Sequence, residues 1–284
     1  MKNPKLGAHI SASGGLGKSI QRAEEVGAEC IQIFAGSPRR YEVASIGEKE
    51  KNYFQGELQE KRIYPVYIHA SYLLNLASEN RYIKERSLES VKESLKLCSF
   101  LGLQGVVYHP GSPKGGDKNM AIEREIECIK KILKETPEDA ILVIENTAGE
   151  KKIGTNPKEV GYIFKEVRSS RLKVCIDTAH SLESGNIKEF KDEQIKQWMN
   201  DWNNEVGLEN ISLFHINDSQ TKAESRHDRH ANLGEGYIGL SGLKNLMRNK
   251  NASRFPWIIE VPGFDGKGPD KKNLDILKEM RESL

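Results

Sequence analysis

A closed (β/α)8 barrel, an α/β architecture with its active face at the carboxyl ends of the strands, is the fold this sequence predicts. Three observations lead there. Eight short apolar runs recur along the chain, too short for helices and bounded by polar residues or glycine. Each is followed by a longer charged stretch with helical apolar spacing. No Ser/Gly/Pro-rich linker, internal repeat or composition shift divides the 284 residues, so 1–284 reads as one barrel domain.

In order, strand Leu6–Ile10 precedes helix Leu16–Gly27, and strand Cys30–Phe34 precedes helix Gly47–Lys61. Val66–His69 leads to Ser78–Leu101, where Ile83, Leu88, Val91, Leu95 and Leu97 or Cys98 fall near one stripe. Gly105–His109 leads to Asn119–Glu135, Ala140–Glu145 to Asn156–Val167, and Leu172–Asp177 to Asn186–Trp202. Ile211–His215 is followed by Ser241–Lys250, and Trp257–Glu260 by Pro269–Leu284. Apolar residues fill both pleat directions of the strand runs, as in strands buried on both faces. Strand–helix alternation predicts a parallel sheet with right-handed crossovers, and the count fits a closed barrel better than an open doubly wound sheet. The longest connection without clear regularity, Asn217–Gly239, is rich in His, Asp, Arg and Gly and reads as a functional loop.

With 43 Lys+Arg against 41 Asp+Glu, the formal charge of +2 excludes a globally basic nucleic-acid coat. A polyanion must then be held by a local patch or by bound cations. No apolar run nears the roughly 18 residues of a membrane span, and the first nine residues, Met1 to His9, contain no signal-peptide apolar stretch. Cys30, Cys98, Cys128 and Cys175 lie far apart with no CxxC pair, which reads as reduced thiols in a cytoplasmic protein.

The informative pattern is what ends each run. Six of them terminate in His69, His109, Glu145, Asp177, His215 and Glu260, metal-capable side chains that a core would not choose, and His9 sits near the end of a seventh. Parallel barrel strands open their carboxyl ends onto one face, so these side chains converge on one mouth. Burying three carboxylates there without cations costs several kcal/mol per charge, and divalent metal removes that cost. Two local motifs add ligands: Asp177-Thr178-Ala179-His180, and Asp228-Arg229-His230, whose outer side chains point the same way if the backbone is extended. Five His, two Asp and two Glu exceed the three protein ligands of a typical catalytic zinc and suggest a cluster with shared carboxylates. The imidazole share favours zinc, or manganese in part, over magnesium. His227 reads as a bystander, and His9 as either a ligand or a hydrogen-bond partner of the cluster.

Along nearly its whole length the sequence resembles the endonuclease IV family of apurinic/apyrimidinic endonucleases. The matching stretches are Gly7-Ala8-His9-Ile10-Ser11, Gln32-Ile33-Phe34 with Ser37-Pro38-Arg39, His69-Ala70-Ser71-Tyr72 with Asn75-Leu76-Ala77, and His109-Pro110-Gly111. Further on are Ile144-Glu145-Asn146-Thr147-Ala148-Gly149, Cys175-Ile176-Asp177-Thr178-Ala179-His180, and His215-Ile216-Asn217-Asp218-Ser219. Asp228-Arg229-His230, Gly234-Glu235-Gly236 and Ile259-Glu260 complete the set. No single tripeptide is specific, but the ordered set is.

The resemblance implies a TIM barrel with three zinc ions, manganese being possible at one position. It implies that His69, His109 and Glu145 hold the first, that Glu145 bridges to a second completed by Asp177, His215 and Glu260, and that His180, Asp228 and His230 hold the third. It implies Glu145 as the catalytic carboxylate, and as partner a double-stranded DNA containing abasic sites. The reaction would cleave the phosphodiester 5′ to the lesion, leaving a 3′-hydroxyl and a 5′-deoxyribose phosphate. Arg39, Arg40 and Tyr72 would meet the DNA, with at least one wedged into the stack; an abasic nucleotide, lacking stacking, flips out at low cost. No membrane and no obligate protein partner are implied. Lys114, Lys118, Lys222 and Arg226 fall in mouth-side loops and could bind phosphate, though exposed lysines are common and none of the four is specific alone. The sequence departs from the family pattern at Tyr41 (often Trp), Ala179 (often Cys) and Val261 (often Thr), positions that bear on fine positioning or DNA affinity.

Two rivals use parts of the same pattern. A one-metal sugar isomerase or epimerase also uses a Glu, Asp, His, Glu quartet, which Glu145, Asp177, His215 and Glu260 match, but it has no use for the other five residues. A metal-stabilised DNA-binding module would bind abasic DNA without cutting it.

Overall fold

The computed structural model describes residues 3–284. Eight parallel strands close into a barrel: β1 (Leu6–His9), β2 (Cys30–Phe34), β3 (Val66–His69), β4 (Gly105–Tyr108), β5 (Leu142–Glu145), β6 (Leu172–Asp177), β7 (Ile211–His215) and β10 (Trp257–Ile259). Each pairs with its sequence neighbour and β10 closes on β1, with Ala8 opposite Ile259. The helices are α1 (Leu16–Val26), α2 (Glu48–Lys61), α3 (Arg81–Leu101), α4 (Lys118–Lys134), α5 (Pro157–Val167), α6 (Thr178–Glu183), α7 (Asp192–Val206), α8 (Gly239–Arg248) and α9 (Lys271–Glu282).

Outward-facing strand residues such as Ile68, Tyr108, Ile144, Ile176, Phe214 and Ile259 join the helices' apolar stripes in one large core. The barrel interior holds a separate cluster of Cys30, Tyr67, Val107, Val143, Cys175, Leu213 and Ile258. Gly7 meets that layer on β1, where a Cβ would fall 1.8 Å from the Cys30 carbonyl oxygen, so only glycine lets the two strands pass. All four cysteines are free and buried, and no described helix is long and apolar enough to cross a membrane.

Most strands and helices shift by a residue or two from the sequence reading, and three departures are larger or have a clear local cause. Helix α3 begins at Arg81 rather than Ser78, because the Asn80 side chain caps it by accepting from the Ile83 N–H. Helix α7 starts at Asp192 rather than Asn186; the preceding residues are held elsewhere, with the Asn186 amide donating to the Thr155 carbonyl. The connection from Asn217 to Gly239 is not without regularity. It contains a two-stranded antiparallel sheet of β8 (Asp218–Ser219) and β9 (His230–Ala231).

Candidate metal centre

The pleat builds the site. Two residues before each titratable strand end lies a member of the interior apolar cluster: Tyr67 before His69, Val107 before His109, Val143 before Glu145, Cys175 before Asp177, Leu213 before His215 and Ile258 before Glu260. The two-residue period puts both members of each pair on the inward face. The apolar plug and the polar cluster are therefore successive layers of the same strands.

Glu145 is at the centre, fully buried. Its Oε2 stands 3.4 Å from His69 Nε2 and 3.2 Å from His109 Nε2, and its Oε1 3.0 Å from His215 Nδ1 and 3.3 Å from His180 Nδ1. Glu260 Oε2 lies 3.2 Å from His215 Nδ1, with Asp177 Oδ2 4.0 Å from the same nitrogen. Asp228 Oδ1 stands 3.3 Å from His180 Nε2 and 3.6 Å from His230 Nε2. Three groupings follow, each with ligand atoms within 4.8 Å of one another: His69, His109, Glu145; Glu145, Asp177, His215, Glu260; and Asp177, His180, His230, beside which Asp228 lies. Cys175 Sγ falls within the same distance of Glu145 and His215. All nine residues singled out in the sequence thus gather at one mouth. His9 stands beside them, its Nδ1 2.8 Å from Glu260 Oε1.

The hydrogen-bond census tests whether this cluster suits a metal. His69, His109, His180 and His230 each leave Nε2 buried and without a hydrogen-bond partner, as does Glu145 Oε2. An unsatisfied buried polar atom costs about 1–3 kcal/mol, so five in one pocket call for a cation. In three of these rings the opposite nitrogen is occupied. His69 Nδ1 donates to the Ala70 carbonyl at 2.7 Å, His180 Nδ1 to that of Asn146 at 2.9 Å, and His230 Nδ1 to that of Glu260 at 3.3 Å. A ring that gives its Nδ1 proton to a carbonyl presents a lone pair at Nε2, the tautomer that ligates metal. The residues fit a divalent cation cluster.

Charge agrees with this geometry. Burial alone would keep the Glu145 carboxyl neutral, yet His215 and His109 hold it well below the usual carboxylate range. Glu260 is likewise held well down against its burial, mainly by His215. Burial resists protonation of His180 and His215, but Asp177 and Asp228 around the one, and Cys175, Glu145 and Glu260 around the other, lift both well above the ordinary imidazole value. Protons here occupy the place that metal takes by displacing them.

Several residues missed in the sequence hold the ligands. Asp177 ends β6 and also caps α6, its Oδ1 accepting from the His180 N–H at 2.8 Å. That one-turn helix folds His180 back over the strand end. Asn146 accepts from the Asp177 N–H at 2.7 Å, while Asn217 donates to Asp177 Oδ2 at 2.6 Å and accepts from the Glu260 N–H at 2.7 Å. Asp218 gathers the long loop by accepting from the N–H groups of Ser219, Gly234, Gly236, Ile238 and Gly239. Gly236 passes so close that a Cβ would meet Asp218 Oδ1 at 2.4 Å. Buried Glu183 accepts from Ser219 Oγ and from the Arg229 N–H, fixing the residue between Asp228 and His230. The signal was present as asparagine and aspartate just after strand ends, but sequence alone does not say which neighbour each side chain grips.

Arg39 and Arg40 are exposed on the loop after β2. Tyr72 is 56% exposed, its ring 5.5 Å from that of His69 and 6.1 Å from that of His109. Its N–H and the Ser71 hydroxyl both donate to the Pro38 carbonyl, tying the tyrosine to the arginine loop. Tyr41 donates to the Leu73 carbonyl on the same side. Ala179 and Val261 are buried. Lys118 is paired with Glu159 at 2.6 Å, and Lys114, Lys222 and Arg226 are exposed. His227 is exposed on the loop.

Comparison with known proteins places this geometry. The xylose isomerase-like TIM barrel family matches residues 20–282. A probable endonuclease 4 of Aquifex aeolicus is 37% identical over 98% of both chains, and that of Carboxydothermus hydrogenoformans 34% identical over 98% of this chain and 97% of its own. The chain belongs to the endonuclease IV family. Endonuclease IV of Thermus thermophilus superposes with a TM-score of 0.86 at 30% identity, covering 99% of this chain and all of that one. A D-tagatose 3-epimerase-like protein shares the fold, with a TM-score of 0.73 at 19% identity over 98% of this chain and 97% of its own. The protein is accordingly a nuclease on a TIM barrel.

Proposed function

We propose that this endonuclease IV homologue incises duplex DNA at abasic sites. It hydrolyses the phosphodiester 5′ to the missing base and leaves a 3′-hydroxyl and a 5′-deoxyribose phosphate. Three zinc ions, one position being open to manganese, would be held by His69, His109 and Glu145; by Glu145, Asp177, His215 and Glu260; and by His180, Asp228 and His230. When bound, zinc supplies Lewis acidity, polarising phosphoryl oxygens and lowering the pKa of water from about 15.7 toward 7.

The chain's own residues do the rest. Glu145 offers an oxygen to each side of the cluster and fixes the spacing of the neighbouring ligands. Arg39 and Arg40 grip the backbone, and Tyr72 fills the space the flipped nucleotide leaves, its ring already beside His69 and His109. With no protein partner or membrane required, the enzyme acts on its own in the cytoplasm, where its four free thiols stay reduced.

One observation carries this reading: four unpartnered imidazole nitrogens that the quartet of a one-metal isomerase leaves without purpose. Elemental analysis of the purified protein, paired with a gel assay on an end-labelled abasic duplex, tests it. About three zincs per chain and a nicked product with a 3′-hydroxyl are expected. One manganese with no nick points to the isomerase, and binding without a nick to a DNA-binding module.

A further inference from the structure

Gln32 lies on β2, fully buried, two residues after Cys30 and facing inward. Its amide nitrogen is 2.7 Å from Glu260 Oε1 and 3.0 Å from His9 Nδ1, and its amide oxygen is 3.0 Å from His215 Nε2. A carboxylate only accepts, so the amide nitrogen must face Glu260 and donate. The oxygen then faces His215 and can only accept, which requires the proton on His215 Nε2. The lone pair of a neutral ring is left on Nδ1, the atom 3.0 Å from Glu145 Oε1 and 3.2 Å from Glu260 Oε2. An amide turned the other way would set oxygen against the Glu260 carboxylate and push the His215 proton onto the atom that faces the cluster.

We propose that Gln32 is a positioning residue of the metal centre, its single amide holding His215 ready to ligate through Nδ1 and Glu260 ready to ligate through Oε2. The inference rests on the metal-centre reading above. It also singles out one position in the cluster. His69, His180 and His230 give their Nδ1 protons to backbone carbonyls that substitution does not remove, whereas His215 relies on a side chain. The cation shared by Glu145, Asp177, His215 and Glu260 is the one that Gln32 governs.

The test compares zinc-loaded wild type with Gln32→Met, which keeps the bulk and loses both polar contacts, and with Gln32→Glu, which keeps the acceptor for His215 and loses the donor to Glu260. Zinc retained against chelators of graded strength is counted, and the His215 Nε2–H is followed by nitrogen-15 NMR. In Gln32→Met, one zinc should be held about 10–100-fold more weakly, the usual effect of losing such a partner, while the others stay and the Nε2–H signal exchanges faster. Gln32→Glu should keep that signal and show an intermediate loss. A Met variant that holds all its zinc like wild type overturns the proposal, as does one that stays folded and loses all its zincs together. Should the Met variant fail to fold, Gln32→Glu decides: weakened retention of one zinc supports the role, and unchanged retention refutes it. Wild type without zinc sinks the metal-centre reading itself, whereas zinc-replete wild type beside an unaffected Met variant sinks only Gln32.

Discussion

The ligand cluster has two halves that are built differently. One half stands at strand ends and sits directly on the apolar layer of the barrel: His69, Glu145, Asp177 and His215 are at most 1% exposed, Glu260 10% and His109 23%. The other half hangs from the β7–α8 connection, where the Asp228 and His230 side chains are 51% and 17% exposed. In the first half the sheet register sets ligand spacing, as where Asp177 pairs with His215 across β6 and β7. In the second, position depends on two buried carboxylates, Asp218 and Glu183, that draw the loop's backbone N–H groups inward. A barrel thus provides rigid ligands as a by-product of folding, while a loop ligand needs polar supports of its own. Strand-borne ligands should be lost only together with the chemistry, and loop-borne ones by loosening the loop.

The largest effect should come from the strand half. Glu145→Gln keeps the shape but removes the charge on which His69, His109, His180 and His215 converge. Incision should fall by about 10⁴-fold or more, the scale of removing one member of a catalytic unit, with zinc content dropping below that of wild type. Activity within tenfold of wild type would break the picture of a strand-centred site.

A smaller and more local loss is expected from Asp218→Ala. Five backbone N–H groups lose a charged acceptor, and such bonds contribute about 1.5–3 kcal/mol each when buried. Much of that is recovered, because the freed loop is rehydrated instead of staying buried. Amide hydrogen exchange should therefore accelerate across residues 228–239 and one zinc should be lost preferentially, while protection in the barrel strands stays unchanged. Equal acceleration in the strands would show that the two halves are one cooperative unit.

The same division explains what could be read from the sequence. The strand half was legible because a parallel strand is an apolar run, and a histidine or carboxylate at its end stands out against it. His69, Glu145 and His215 could be named with their positions on the fold for that reason. Loop geometry was legible only as composition: Asp228 and His230 stood out as residue types, but β8 and β9 are two residues each and leave no periodic trace. Helix α6, six residues long, escaped for the same reason, and with it the capping role of Asp177. Gln32 was hidden differently. Its polarity interrupts an otherwise apolar strand, but only the closed barrel brings β2 within reach of β7 and β10.

The smallest predicted effect concerns what lies behind each half, and it depends on pH. Glu125, wholly buried behind β4, accepts from the Gly111 N–H just past His109, and burial pushes its carboxyl up to about 7. Glu183 behind the loop is pushed to about 7 for the same leading reason. A carboxyl with a raised pKa binds its proton more tightly in the folded chain than in the unfolded one, where the value is near 4.5. Folded stability therefore falls as pH climbs from 4.5 through 7 and levels off above, with a ceiling near ~3 kcal/mol per group at about 1.4 kcal/mol per unit. Glu125→Gln, which cannot ionise, should leave stability nearly unchanged at pH 5. At pH 8 it should raise the unfolding free energy of the zinc-loaded protein, read by denaturant titration, by up to that amount. The rise belongs in global unfolding, because Glu125 supports a turn continuous with the barrel wall. Glu183→Gln should instead slow only the local opening of the loop, seen as hydrogen exchange near Arg229 that becomes less sensitive to pH between 5 and 8. If both substitutions shift global unfolding alike, the loop is as much a part of the folding unit as the strands, and the contrast between the two halves is one of exposure alone.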